Sequence, residues 1–351
     1  MQENKKISAG RIAWRSPSNI ALVKYWGKKP VQVPANPSLS MTLSRAYTEM
    51  TMDFWLKDEK AGLPWLEFYF EGGKNEKFEE KIAVYLQSLF NEYPALKEFH
   101  FKISSTNTFP HSTGIASSAS SMSALGLCVA EFVSRSGGTS ASLREASRLS
   151  RLASGSACRS VYGGYVIWGN VPELDGTSDE YAIPVPFEVN PAFMDMKDAI
   201  LVVSSKEKEV SSRAGHSLMD GHPYAGNRYD LAMTNILLLM ESLKTGDFEK
   251  FIQVTESEAL NLHALMMTSR QSYLLIEPNT LNIVNSIRLF RKETSIPVCF
   301  TLDAGPNVHM LYPATYETAI RKWIDEEIVG FCENGIWIDD QIGKGPEKLI
   351  I

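Results

Sequence analysis

Two clusters of small residues constrain this chain more than any other feature. The first, Thr108 to Ser121, reads TFPHSTGIASSASS, and the second, Ser154 to Gly164, reads SGSACRSVYGG. Between them, Met122, Leu125, Val129 and Phe132 fall at helical spacing, as do Leu143, Ala146, Leu149 and Leu152, so two helices are expected there. A Gly/Ser/Ala run that feeds a helix offers backbone N–H groups, hydroxyls and the positive end of the helix dipole to an anion. The same small residues also allow a helix to pack closely on a neighbour. On this run alone both readings stand.

Composition narrows the class. The chain has 351 residues, enough for two domains at roughly 100–200 residues each. With 35 basic and 41 acidic residues the formal charge is −6, which leaves no overall basic field and excludes nucleic acid as an expected partner. The N-terminus lacks an apolar signal core, and no run approaches the ~18 apolar residues of a membrane helix. Cys128, Cys158, Cys299 and Cys332 show no CxxC spacing, and the six histidines form no HxxxH or HExxH pair. The expectation is a reduced, cytoplasmic protein without a tightly held structural metal.

Along the chain, Ile12 to Trp14 reads as a short strand leading into the loop-like segment SPSNIALVKYWGKKP, Ser16 to Pro30. Lys24, Lys28 and Lys29 are interleaved there with Tyr25 and Trp26, which suits either snorkelling surface lysines or a loop wrapped around a polyanion. Thr48, Met50, Met52, Phe54 and Leu56 alternate as in an antiparallel strand, and Leu66 to Phe70 is expected to pair with it across a turn near Ala61 to Pro64. Glu76 to Phe90 is a helix with Phe78, Ile82, Tyr85 and Leu89 inward, and Phe99 to Ser105 is the strand entering the small-residue loop. Prolines at 184, 186 and 191 mark a boundary between domains 1–187 and 188–351. Beyond it, Ala199 to Ser204 is a buried strand and Lys206 to Met219 a polar segment. Helices follow over Tyr229 to Leu243, after Gly246 with Asp247 as cap, and over Leu281 to Lys292. Val298 to Leu302 is a strand that ends at Asp303-Ala304-Gly305-Pro306-Asn307, and Val308 to Tyr312 resumes as a strand.

A carboxylate at a Gly-Pro turn often only caps its own backbone. Beside the Lys24 segment, the two Ser/Gly clusters and Arg159, however, Asp303 completes the parts for phosphoryl transfer to an alcohol: an acid/base carboxylate, cations for the phosphate charge, and backbone donors.

NIALVKYWGK, NPSLSMTLS, FPHSTGIASSAS, SGSACRSVYGGY, VSSR and FTLDAGPN together resemble the motif set of diphosphomevalonate decarboxylases, in that family's order from Asn19 to Asn307. The family belongs to the GHMP kinase superfamily, with galactokinase, homoserine kinase and mevalonate kinase. Ala-Ser-Ser at 116 to 118, where the true kinases usually carry Gly-Ser-Ser, points to the decarboxylase branch. The resemblance implies an α+β GHMP kinase fold. Its N-terminal domain would be like domain 2 of ribosomal protein S5, with a left-handed crossover. Its C-terminal domain would be ferredoxin-like, with the active site in the cleft between the two. It also implies a magnesium- and ATP-dependent conversion of mevalonate 5-diphosphate into isopentenyl diphosphate, ADP, phosphate and carbon dioxide, often by a homodimer.

Carried over residue by residue, Asp303 matches the family's catalytic aspartate facing the C3 hydroxyl, and Lys24 the lysine that offsets negative charge near the reacting groups. Asn19, Tyr25, Lys28, Ser154, Ser156 and Arg159 match substrate-binding positions, as do Ser212 and Arg213. Gly114, Ser117 and Ser118 would meet the ATP phosphates, with Ser105 and Asn107 nearby on the nucleotide side. No protein metal ligand is implied, magnesium being held mainly by the ATP phosphates. The chain departs from the pattern at His111, Ser112, Ala153 and His216; the last, where methionine is common, reads either as a contact to the substrate's phosphate end or, as expected here, as an exposed loop histidine. Rival readings are a sibling decarboxylase of mevalonate 5-phosphate, a mevalonate 3-kinase, a non-catalytic relative and an ordinary small-molecule kinase. A non-catalytic relative would be eroded at Asp303 and Lys24, and an ordinary kinase would lack the KYWGK and SGSACRS clusters; all of these are intact.

Overall fold

The computed structural model describes residues 7–58, 64–109, 117–137, 141–206 and 212–350, with the side chains of Ser212 and Arg213 left aside. The expectations for His111, Ser112 and Gly114, and for the turn at Ala61, lie outside these residues. The first half contains β1 (Ala9–Val23), β2 (Lys28–Lys29), β3 (Val33–Pro34), β4 (Ser38–Leu56), β5 (Leu66–Phe70), β6 (Gly73–Lys74), α1 (Glu76–Ser88), β7 (Phe99–Asn107), α2 (Ser117–Arg135), α3 (Leu143–Ala153), β8 (Tyr165–Trp168) and β9 (Ala182–Pro184). The second contains β10 (Met196–Leu201), α4 (Ser212–Ser217), α5 (Ala225–Thr245), α6 (Phe248–Met267), α7 (Pro278–Thr294), β11 (Cys299–Leu302), β12 (Val308–Pro313), α8 (Glu317–Trp323), β13 (Trp337–Gln341) and β14 (Glu347–Lys348).

The first sheet runs in the order β14-β1-β4-β7-β5-β6, with β8 and β9 extending it from the N-terminal part of β4. Two expectations are corrected here. The segment Ser16 to Val23 is not a loop: it is the second half of β1, paired with β4 as far as Val23 opposite Leu39, and the chain leaves the strand only at Lys24. Proline cannot donate to the ladder, and β1 accommodates it with a register shift between Pro17 and Asn19. The other correction concerns Leu66 to Phe70, which does not pair with β4. It lies parallel to β7, and β7 itself inserts between it and β4. Helix α1 makes this possible, because a parallel neighbour needs a crossover long enough to carry the chain back.

The helices begin and end where their terminal residues dictate. Asn75 caps α1 by accepting from Phe78 N–H, Ser142 caps α3 through Glu145 N–H, and Asp247 caps α6 through Lys250 N–H. Gly246 ends α5 at φ +86, a left-handed position that glycine takes without steric cost. Helix α2 is buried almost throughout and packs across β1 and β4. Its Gly126 is needed for close approach to α3, since a Cβ there would lie 2.2 Å from Ser150 Oγ and 2.8 Å from Ser150 N.

The second sheet is antiparallel, in the order β11-β12-β10-β13. One core is shared between the sheets, with Ile20, Leu39, Met41 and Tyr165 meeting Phe193, Ile236, Leu239 and Phe251. A carboxylate fastens the junction. Pro17 faces Tyr47 and Asn19 faces Thr42, so residues 43–46 bulge out of β4 opposite Ser18. Buried Asp340 of β13 accepts from the amides of Ser44 and Arg45 at 2.8 Å and of Ala46 at 2.7 Å. These are the bulge amides with no strand partner, so the second sheet satisfies donors that the first sheet leaves over. Strand β14 then returns to β1, where Lys348 forms an ion pair with Glu131 of α2.

Candidate active site

Where β1 ends, Lys24 turns inward at 2% exposure, and its Nζ lies 3.0 Å from Asp303 Oδ1. Asp303 sits just after β11, in a turn closed by Gly305 N–H donating to its carbonyl at 2.8 Å. His263 of α6 donates to the same carbonyl from Nε2 at 3.1 Å. The two ends of the chain thus supply an ion pair whose lysine is enclosed and whose carboxylate is part-open to a cleft.

The backbone of Lys24 is held as firmly as its side chain. Its N–H donates to Glu258 Oε2 at 2.8 Å, and its carbonyl accepts from Arg228 Nη2 at 2.7 Å and from Asn36 Nδ2 at 2.9 Å. Glu258 and Arg228 are themselves paired with both sites buried, and Asn235 adds a bond to Glu258 Oε1 at 2.6 Å. Burial pushes the Lys24 ammonium below its ordinary pKa, Asp303 and Glu258 oppose that shift, and Arg159 adds to it.

Arg159 lies in a 3-10 turn, Gly155–Val161, directly after α3. It is 2% exposed and hydrogen-bonds to neutral groups: Ser40 Oγ at 3.1 Å, Ser38 Oγ at 2.5 Å and Asn19 Oδ1 at 3.4 Å. Burial lowers its pKa, and among the described residues no carboxylate hydrogen-bonds to it. Asp303 acts on it only through space, so a guanidinium desolvated against hydroxyls and an amide favours an anion beside it.

These residues share one cleft of about 430 Å³. Its walls include Asn19, Lys24, Tyr25, Lys28, Ser118, Ser154, Ser156, Arg159 and Asp303, so the structure brings together nine of the residues singled out from sequence. Tyr25 stacks edge-on against Trp168, and its buried hydroxyl has no hydrogen-bond partner among the described residues. Gly155 is required at this point because a Cβ would lie 2.9 Å from both Tyr25 Oη and Trp168. Lys28 Nζ reaches Gln32 Oε1 at 3.4 Å, and Ser118 is in the first turn of α2.

Ser117 begins α2 with its carbonyl accepting from Ser120 and Ser121 hydroxyls. Ser105 and Asn107 are not brought to the cleft wall. They lie on β7, Ser105 accepting from Glu71 N–H through its carbonyl and Asn107 Oδ1 accepting from Thr48 Oγ1 at 2.8 Å. Gly114 is outside the described residues, and Ser212 and Arg213 are placed only as the start of α4. His216 corrects an expectation. It is no exposed loop histidine but a cleft-lining residue of α4, packed against the rings of Tyr25 and Trp26.

Family models match both halves of the chain. Residues 16–181 match the diphosphomevalonate decarboxylase-like N-terminal domain, and residues 199–334 match the mevalonate 5-diphosphate decarboxylase C-terminal domain. The diphosphomevalonate decarboxylase of Debaryomyces hansenii is 30% identical over 363 residues, spanning 96% of this chain and 91% of that protein. The chain belongs to the diphosphomevalonate decarboxylase family.

Solved members of the decarboxylase family have the same mixed α/β architecture. The mevalonate diphosphate decarboxylase of Staphylococcus aureus superposes with a TM-score of 0.84 at 30% identity, covering 97% of this chain and 98% of that one. MDDEF in complex with MVAPP, AMPPCP and magnesium gives 0.82 at 29% identity, covering 97% and 99%. For this member of the decarboxylase family, sequence reasoning passed over Glu258, Arg228, Asn235 and Asn36, which hold Lys24, and Ser38 and Ser40, which hold Arg159. One signal was present. Glu258 stands four residues after Val254 and four before Leu262, a charge within an apolar helical stripe. Asn36, Ser38 and Ser40 lie in or beside NPSLSMTLS, a motif whose individual roles no local pattern reveals.

Proposed function

We propose that this chain catalyses the ATP-dependent decarboxylation of (R)-5-diphosphomevalonate to isopentenyl diphosphate, releasing ADP, phosphate and carbon dioxide through 3-phosphorylation. The observation that carries this reading is the 3.0 Å Lys24–Asp303 pair in a cleft that also holds Arg159 without a carboxylate partner.

A tertiary alcohol is a poor leaving group, so it is first converted into a phosphate ester. Asp303 faces the C3 hydroxyl, orienting it and taking its proton as the bond to the phosphoryl group forms. Lys24 offsets the charge that gathers beside Asp303. Departure of the ester phosphate leaves positive character at C3, and the bond between C2 and the carboxylate carbon breaks, its electron pair forming the new double bond to C3 as carbon dioxide leaves. Asn19, Tyr25, Lys28, Ser154, Ser156 and Arg159 hold the diphosphate and carboxylate, with Ser212 and Arg213 closing the same end. Gly114, Ser117 and Ser118 bind the ATP phosphates at the start of α2, with Ser105 and Asn107 on the nucleotide side.

ATP and Mg2+ accompany the substrate in this reading, and the complex of MDDEF with AMPPCP and magnesium supports it. The oxygen donors at the cleft include the Asp303 carboxylate and the Ser118 hydroxyl, a set that suits Mg2+ coordinated chiefly by nucleotide phosphates. The ion supplies charge neutralisation between transferring and leaving oxygens.

We divide the chain at 1–187 and 188–351, the first part like domain 2 of ribosomal protein S5 and the second ferredoxin-like. The family profiles support this division by ending at residue 181 and resuming at 199. A cytoplasmic homodimer completes the reading, and no described helix is long and apolar enough to cross a membrane.

The test offers purified protein ATP and magnesium with mevalonate, its 5-phosphate or its 5-diphosphate, and follows ADP and carbon dioxide together. Equal release of both with the diphosphate alone is expected. Equal release with the monophosphate would make the protein the sibling decarboxylase, ADP without carbon dioxide would make it a 3-kinase, and no product would overturn catalysis.

A further inference from the structure

His216 forms part of the cleft wall, and the reaction as derived above does not use it. Its ring lies between Tyr25, at 4.2 Å between centroids, and Trp26, at 5.0 Å. Gly27 N–H donates to its Nδ1 at 3.1 Å. A backbone amide can only donate, so Nδ1 must be the acceptor and the ring proton must reside on Nε2. A second proton on Nδ1 would confront the Gly27 N–H directly. Burial, reinforced by Lys28 and Arg159, accordingly pushes the imidazole pKa down to about 3. The cleft therefore contains a neutral ring with one fixed N–H donor, and no described residue accepts from it.

The surroundings indicate what that donor meets. Lys28, Arg159 and the unpartnered Tyr25 hydroxyl line the same cleft, and both cations are near enough to act on the ring. A third cation there would repel the other two while the site is empty. A neutral donor adds a directional bond to an anion without that repulsion.

Resting on the functional reading above, we propose that His216 is a binding residue for the substrate's 5-diphosphate, donating Nε2–H to a non-bridging phosphate oxygen. Its Nδ1 contact at the same time fixes the Gly27 amide, and with it the turn that carries Lys28. The position is specific to this chain's pattern, because a methionine there would offer neither the donor nor the acceptor.

Three substitutions in the full chain separate the two contacts. His216→Gln keeps an N–H near the Nε2 position but gives up the acceptor for Gly27. His216→Asn keeps an oxygen near Nδ1 but ends short of the phosphate. His216→Met removes both. Calorimetric titration with mevalonate 5-diphosphate in the absence of ATP is expected to show about tenfold weaker binding for the Asn and Met variants. The Gln variant should lie within about threefold of the parent, and steady-state loss should fall on KM more than on kcat.

Parent-like affinity in the Asn variant with a loss in the Gln variant would reduce His216 to an anchor for Gly27 and overturn the proposal, as would three unchanged affinities. A binding midpoint between about pH 6 and 8 that is present in the parent and absent in the Gln variant would show a titrating ring, and would also overturn it. A parent protein that neither binds nor converts the diphosphate defeats the functional reading itself, a result distinct from any of these.

Discussion

Lys24 Nζ and Asp303 Oδ1 meet at 3.0 Å although 279 residues separate them in the chain. The lysine arrives from the end of a strand in the first sheet, and the aspartate from the end of a strand in the second. Their distance therefore depends on the junction of the two sheets, and each half of that junction can be tested.

Asp303→Asn keeps the size of the side chain and removes both the base and the counter-charge of Lys24. Turnover is expected to fall by about 10²–10⁴-fold, measured as coupled ADP and carbon dioxide release. The Lys24 ammonium, already lowered by burial, loses one of the groups that oppose that shift, so any activity left should decline at lower pH than in the parent. Turnover equal to the parent's would remove Asp303 from the reaction.

Arg159→Lys preserves a positive charge but not the fork that spans Ser38, Ser40 and Asn19. We expect weaker binding of the diphosphate by about tenfold or more, since a lysine cannot make the same set of bonds. Calorimetry with the substrate alone checks it, and unaltered affinity would show that charge suffices.

The Glu258–Arg228 pair holds the Lys24 backbone from a fully enclosed position. Glu258→Leu leaves Arg228 buried without its partner and is expected to cost about 3–5 kcal/mol in urea unfolding. Combining it with Arg228→Met should recover much of that stability without restoring full turnover, because Lys24 N–H and C=O still lack their partners. Recovery of both together would mean that the pair serves stability alone.

Gly126→Ala forces a Cβ against Ser150 at the crossing of α2 and α3. Overpacking of this kind costs about 1–3 kcal/mol, so the melting temperature should fall. An unchanged melting temperature would show that the two helices can separate at little cost.

Glu131 gives a pH signature. Burial opposes its ionisation, but hydrogen bonds from Lys348, Trp14 and Arg135 outweigh that and hold its pKa below the ordinary value near 4.5. A depressed carboxylate contributes stability above its unfolded pKa and loses it as pH falls through the folded pKa. The parent should therefore lose stability on acidification below about pH 4.5 more steeply than Glu131→Gln, as measured by melting temperature across that range. Parallel curves would show that the tail contact carries no such linkage.

The sequence by itself determined what depends on near neighbours. Helical spacing marked α1, α2 and α3, Gly246 and Asp247 separated α5 from α6, and short motifs marked nine residues that line one cleft. Periodicity, capping and turn chemistry act over a few residues, so they can be read in the chain. What only the tertiary structure decided was partnership. Alternation showed that Leu66 to Phe70 is a strand, but not that β7 lies between it and β4. The Asp247 cap showed that a helix follows Gly246, but not that Glu258 within it would meet Arg228 and the Lys24 backbone. The motif around His216 suggested a loop, whereas packing set its ring against Tyr25 and Trp26 and fixed its tautomer. A pattern of faces says which side of an element is buried. The groups that satisfy its buried charges and unpaired amides come from residues far away in the chain, so they are chosen only when the whole core closes.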